Sequence, residues 1–136
     1  MLRRRLTVMV AMAVMVAMMV ASAGMVQAQP VAGAADAKCL ALARQTLGGF
    51  GQNFNPANYT FIGGTEGNDD FTGKGTEGRD VFCGFGGSNS IDTLDEGDVF
   101  LGGAGGDLVH RNHGTFYGGE GDDFVISPRG GTFIQD

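Results

Sequence analysis

Two unlike patterns of apolar and polar positions divide the chain. The first is one unbroken apolar run, from Leu6 to about Val20, set behind Arg3, Arg4 and Arg5. The second begins near residue 63, where single large apolar residues recur between glycine-rich, acidic stretches. The series is Phe71, Phe82, Ile91, Phe100, Val109, Phe116, Val125 and Ile134, with steps of 11, 9, 9, 9, 7, 9 and 9. Both departures from nine have visible causes: Gly73–Lys74 are inserted, and two residues are missing between Arg111 and Tyr117. One apolar residue between two flanking positions predicts a short strand, with the apolar side chain inward and its neighbours outward. Self-similarity at a fixed short period predicts stacked coils rather than a conventional globule.

The stretches between the strands share a motif. Residues 102–110 read G-G-A-G-G-D-L-V-H and residues 118–126 read G-G-E-G-D-D-F-V-I, both fitting G-G-x-G-x-D-x-U-x with U a large apolar residue. Partial copies occupy 64–72, 75–83, 84–92 and 93–101; residues 111–117 form a shortened copy, and 127–135 close the array. If two copies make one coil, alternate copies stack on the same side. One turn column then carries Asp69, Asn89, Asp107 and Asp123, and the other Asp80, Asp98, Gly114 and Thr132. Glycine lets such turns take positive φ and approach closely. Stacking also gathers carboxylates, whose repulsion a hard divalent cation would remove. Calcium accepts six to eight carboxylate and carbonyl oxygens at flexible geometry, whereas magnesium demands a tighter octahedron. The candidate ligands are Asp107 and Asp123, then Asp69, Asp80 and Asp98, with Gly102 and Gly118 opening the two full copies. The competing role for each aspartate is a turn cap on its own backbone.

Composition narrows the class. Glycine supplies 25 of 136 residues, against a usual ~7%, which excludes a helical bundle. There is no triplet glycine period and there are 3 prolines, so collagen is excluded too. The formal net charge is −6, and every acid except Asp36 lies from Glu66 onward. That balance disfavours nucleic acid and anionic membrane as partners and favours a metal ion or a cationic partner.

The first run has the layout of a secretory signal peptide over residues 1–28, with Ala-x-Ala at Ala21–Ala23 and cleavage expected after Ala28. At ~15 residues it is short for a spanning helix, which needs ~20. The mature chain, expected to start near Gln29, would be secreted and without a membrane segment. Cys39 and Cys83 are then expected to form one disulfide. In the N-terminal segment, residues 29–62, the pattern predicts one short helix with Asp36 as its cap. Cys39, Leu40, Ala43 and Leu47 share one face, and Gly48–Gly49 stop it. The outward strand positions Val81, Cys83, Val99, Leu101, Tyr117 and Phe133 are unusually apolar. The helix is expected to dock there, held by Cys39–Cys83; left uncovered, that face would serve a protein partner or self-association.

No catalytic constellation stands out, and the chain is expected not to be an enzyme. His110 and His113 lack the glutamate and helix of a zinc protease motif. Ser88, Ser90 and Ser127 have no nucleophile elbow around them, and the glycine loops lack the Gly-Lys-Ser/Thr ending of a phosphate loop.

Residues 63–135 resemble the RTX (haemolysin-type) calcium-binding repeat family, on the two full nonapeptides and the partial copies around them. The resemblance implies an all-β parallel β-roll, a right-handed β-helix, over residues 63–136. It also implies Ca2+ held between stacked turns by the motif aspartates and turn carbonyls. Carried over by position, this assigns Asp107 and Asp123, and extends to Asp69, Asp80 and Asp98. Asn89, Gly114 and Thr132 depart from the pattern, as does the N-terminal leader, since many members leave the cell through an uncleaved C-terminal signal. About 34 residues separate leader and repeats, too few for the enzyme or toxin domain many members carry. The expected function is a secreted, non-enzymatic calcium-binding protein whose folding is coupled to the metal. The alternative is an extracellular adhesion or interaction module in which the roll is scaffold and calcium only structural.

Overall fold

A computed structural model describes residues 33–49 and 53–136; the leader and its cleavage site lie outside the described residues. Helix α1 spans Ala34–Gly48. A single 3-10 turn, Pro56–Asn58, leads into strand β1, Tyr59–Gly63. Seven more strands follow: β2 Arg79–Cys83, β3 Ser90–Leu94, β4 Val99–Ala104, β5 Leu108–Asn112, β6 Thr115–Glu120, β7 Phe124–Pro128 and β8 Thr132–Ile134. They alternate between two parallel sheets, ordered β1-β2-β4-β6-β8 and β3-β5-β7. An isolated parallel bridge from Asp70 to Ser90 starts the second sheet one coil earlier. The chain is thus a parallel β-roll, a two-sheet solenoid.

Each coil contributes one inward residue per sheet. In the first sheet Ile62, Phe82, Phe100, Phe116 and Phe133 are in register, spaced 20, 18, 16 and 17 residues apart. In the second, Ile91, Val109 and Val125 are in register, spaced 18 and 16 apart. The two-residue insertion becomes a tight turn: Gly73 takes φ 72° and the Lys74 N–H donates to the Phe71 carbonyl (3.0 Å). The deletion shortens the turn before β6, where the His113 N–H donates to the Leu94 carbonyl and the Thr115 N–H to that of Asp98. The interior is one apolar column of Phe71, Phe82, Ile91, Leu94, Phe100, Val109 and Phe116. Its aromatic rings stack or meet edge to face, Phe100 and Phe116 with centroids 5.0 Å apart.

Three expectations are corrected. Phe133, not Ile134, continues the inward column, stacking on Phe116 at 4.9 Å. The closing coil is 17 residues rather than 18, so its side chains shift by one. For the same reason Gly131, not Thr132, falls in the slot below Gly114, since Thr132 pairs with Thr115. Asp36 does not cap the helix. The N-cap is Gly33, without a side-chain bond, and Asp36 Oδ1 instead accepts the Gly63 N–H (2.9 Å), tying the first helical turn to the end of β1. Strand β1 itself, with Tyr59 and Phe61 outward and Ile62 inward, extends the roll into the segment assigned to the N-terminal region.

Helix α1 covers the outer face of the first sheet. Cys39, Ala43 and Leu47 are buried against Val81, Cys83, Val99 and Leu101, with Phe54, Tyr59, Phe61, Phe85 and Tyr117 at the margins. Burying this face removes from water side chains worth ~1.5–3 kcal/mol each when fully buried. Cys39 and Cys83 form a disulfide across a separation of 44 residues. Phe85 is the one described non-glycine residue with positive φ, 66°. Its strained backbone places the ring in the helix layer, beneath Lys38 Nζ at 4.3 Å, and Lys38 also pairs with Glu66. Among the described residues no helix is long and apolar enough to cross a membrane.

The disulfide closes a long loop across the helix–sheet contact, so Cys39→Ser is expected to lower unfolding stability by ~2–4 kcal/mol, read by denaturant unfolding of oxidised wild type and variant. Unchanged stability would mean that the crosslink adds nothing to the helix–sheet contact.

Candidate cation site in the glycine turns

The turns entering the second sheet form one column and those entering the first sheet form another. In the first column a side-chain oxygen from each coil reaches the backbone of the coil before it. The Asp69 N–H donates to Asn89 Oδ1 (3.0 Å), the Asn89 N–H to Asp107 Oδ1 (2.8 Å), and the Asp107 N–H to Asp123 Oδ1 (2.8 Å). The second column has one such rung, from the Asp80 N–H to Asp98 Oδ1 (2.9 Å). Each rung joins two coils and satisfies an N–H that the ladder of main-chain bonds does not reach. The structure therefore brings Asp69, Asn89, Asp107 and Asp123 together on one side, and Asp80 and Asp98 on the other. Below Asp98 that second column holds Gly114 and Gly131 and no carboxylate.

The second side-chain atom separates these residues. Asp69 Oδ2 accepts the Thr65 N–H (2.7 Å) and the Thr65 hydroxyl (3.1 Å). The Asp80 carboxylate likewise accepts the Thr76 N–H (2.6 Å) and hydroxyl (2.8 Å). These two act as turn caps, and the threonine in the second motif position is what supplies the donors. Copies 102–110 and 118–126 have glycine there, and strands β4 and β6 run on through it, pairing Gly103 with Gly119. Their aspartates lose that partner. Asp107 and Asp123 are 1% and 6% exposed, yet the Oδ2 of each has no hydrogen-bond partner. A buried carboxylate oxygen without a donor is costly.

The turn glycines shape the same space. A Cβ at Gly102 would overlap both Asp107 Oδ2 and the Gly118 carbonyl, and one at Gly118 would overlap Asp123 Oδ2. At Gly121 φ is 128°, and a Cβ would strike the Gly105 carbonyl of the preceding coil. Carbonyl and carboxylate oxygens thus converge where no side chain fits. Among the described residues no three His, Cys, Asp or Glu side chains gather into a cluster. A cation here would take one or two carboxylate oxygens and complete its shell with turn carbonyls and water. That all-oxygen donor set suits calcium and not a metal that prefers nitrogen or sulfur.

Electrostatics agree with the hydrogen-bond pattern. Burial pushes the Asp107 carboxyl from 3.8 up to about 6, with the Asp123 charge adding to the rise. Burial also raises Asp123, assisted by Asp122, and raises Asp98, assisted by Asp80 and Asp95. On the surface the reverse holds: bonds from Thr72 hold Asp70 below its ordinary value, and bonds from Arg111 do the same for Asp92. The insertion before Asp80 leaves a cleft of about 240 Å³ beside Phe71 and Phe82, walled by Asp92, Asp95 and Asp98. Sequence reasoning did not anticipate Asn112, which is fully buried; its Nδ2 donates to the Thr132 carbonyl (3.0 Å). His110 and His113 are both exposed.

Two outcomes follow for the protein in chelator. A raised carboxyl pKa means that the folded state holds protons more tightly than the unfolded chain. The stability this contributes is fully present below about pH 4 and is lost as pH rises through about 6. Melting temperature in chelator is expected to fall between those values, and Asp107→Asn to flatten the slope; a melting temperature that rises with pH over this range contradicts the account. Gly102→Ala is expected to destabilise by ~1–3 kcal/mol through overpacking, whereas Gly48→Ala, which meets no atom within 4 Å, is expected to be neutral or stabilising. Equal effects of the two substitutions would remove the close approach at Gly102. Comparison of the chain with family models, with curated proteins and with solved structures finds no match.

Proposed function

We propose that this chain is a secreted, non-enzymatic calcium-binding β-roll whose folding is coupled to the metal, as its resemblance to RTX repeats implies. The observation that carries the reading is the pair of buried, donorless Oδ2 atoms on Asp107 and Asp123, the first of them converging with the Gly118 carbonyl on the space beside Gly102. Asp107, Asp123 and the carbonyls of the turns opened by Gly102 and Gly118 would hold the ion. Asp69, Asp80 and Asp98 join further coils, and Asp69 and Asp80 already have donors. The metal would supply positive charge and coordination, binding the folded state only and so stabilising it with concentration. Secretion is supported by the leader pattern of residues 1–28 and by the disulfide.

A second reading has its own observation. Phe124 and Ile126, on the outer face of the second sheet, are 63% and 59% exposed. An extracellular interaction module would use such a face, with calcium only structural.

Circular dichroism of the oxidised protein in chelator, then through calcium to ~10 mM, a range that covers weak extracellular sites, distinguishes the two. The first reading expects the strand signal to grow with calcium, as further coils fold, and not with equal magnesium. A strand spectrum unchanged from chelator to saturation would leave the roll standing on its core and disulfide, and would favour the interaction module.

A further inference from the structure

Asn89 occupies the aspartate slot in the column that holds Asp107 and Asp123, and departs from the motif there. Its Oδ1 does what the aspartates' Oδ1 does, accepting the N–H of the preceding coil. Its other atom differs. Nδ2 points at the carbonyls of Gly86 (3.2 Å), Gly87 (3.4 Å) and Gly102 (3.4 Å). The geometry of neighbouring coils matches: a Cβ at Gly84 would overlap Asn89 Nδ2 and the Gly102 carbonyl, and a Cβ at Gly102 would overlap Asp107 Oδ2 and the Gly118 carbonyl. The same cradle is therefore filled by an amide donor at one level and by an acceptor facing acceptors at the next. The amide orientation is fixed by this network, because reversing it would set oxygen against carbonyl and NH2 against N–H.

We propose that Asn89 is a built-in replacement for a cation, making its level of the column metal-independent. The inference rests on the calcium reading of Asp107 and Asp123. An uncharged NH2 meets the convergent carbonyls as an ion would, and adds no carboxylate to the stack. Asn89 thereby divides the roll. The coils nearest helix α1, closed by Thr65, Thr76 and Asn89, carry their own donors. The coils of Asp107 and Asp123 wait for the metal. The N-terminal coils then form a template whose free edge the later coils join when calcium is present, which confines the metal dependence to the C-terminal part.

The number of calcium ions bound per oxidised chain, by equilibrium dialysis, tests this together with stability in chelator. Asn89→Asp is expected to bind one more calcium than wild type, and to lose stability in chelator that calcium restores. Asp107→Asn, which needs no new site, is expected to bind one fewer and to melt higher than wild type in chelator. Asn89→Ala is expected to lose stability that calcium does not restore. Calcium bound by wild type with no change in stoichiometry in either Asn89→Asp or Asp107→Asn overturns the role of Asn89 alone. No calcium bound by wild type overturns the calcium reading, and this inference with it.

Discussion

The roll depends on a hydrogen bond that runs along its axis rather than across a sheet. At Asp69, Asp80, Asn89 and Asp107 the backbone N–H is left to a side-chain oxygen from the next coil. Asn89, Asp107 and Asp123 supply that oxygen in succession on one edge, and Asp98 once on the other. The bond demands a short acceptor buried beside a glycine turn, and in three of the four rungs that acceptor is a carboxylate. Every other feature of the turns answers the second oxygen that comes with them.

Three answers are visible in one chain. Thr65 and Thr76 supply a backbone and a hydroxyl donor, which turns Asp69 and Asp80 into local caps. Asn89 exchanges the oxygen for an NH2 that binds carbonyls. Asp107 and Asp123 do neither, and their carboxyls are accordingly raised by burial. The first two answers are complete within the protein. The third is left for a proton or, in the calcium reading, a cation. The outer layer is a separate matter: helix α1 and its disulfide cover one sheet face and give the N-terminal coils an apolar support of their own.

Much of this was legible in the residues. The nine-residue spacing survives because only apolar side chains fill the interior and only glycine allows the closest turns, so Gly73–Lys74 and the missing pair after Arg111 stand out as changes of coil length. Docking of the helix was legible from the apolar outward positions. The last coil was not, because Phe133 and Ile134 are both apolar and only stacking on Phe116 decides which turns inward. Strand β1 has no glycine–aspartate turn before it, so the motif could not announce it; its signal was the aromatic and β-branched run from Tyr59 to Ile62. The distinction among the aspartates was written in the second motif position, threonine or glycine, but its meaning depends on whether the preceding strand extends through the turn, as β4 and β6 do.

The central claim is that the second oxygens of Asp107 and Asp123 are completed by calcium while those of Asp69 and Asp80 are already satisfied. Carbon-13 NMR of the aspartate carboxyls through a calcium titration near neutral pH reads each group directly. The account predicts that the Asp107 and Asp123 carboxyls shift with calcium and that those of Asp69 and Asp80 hold their positions. Carboxyls of Asp107 and Asp123 that stay unmoved at saturating calcium, or that move no more than those of Asp69 and Asp80, would contradict it.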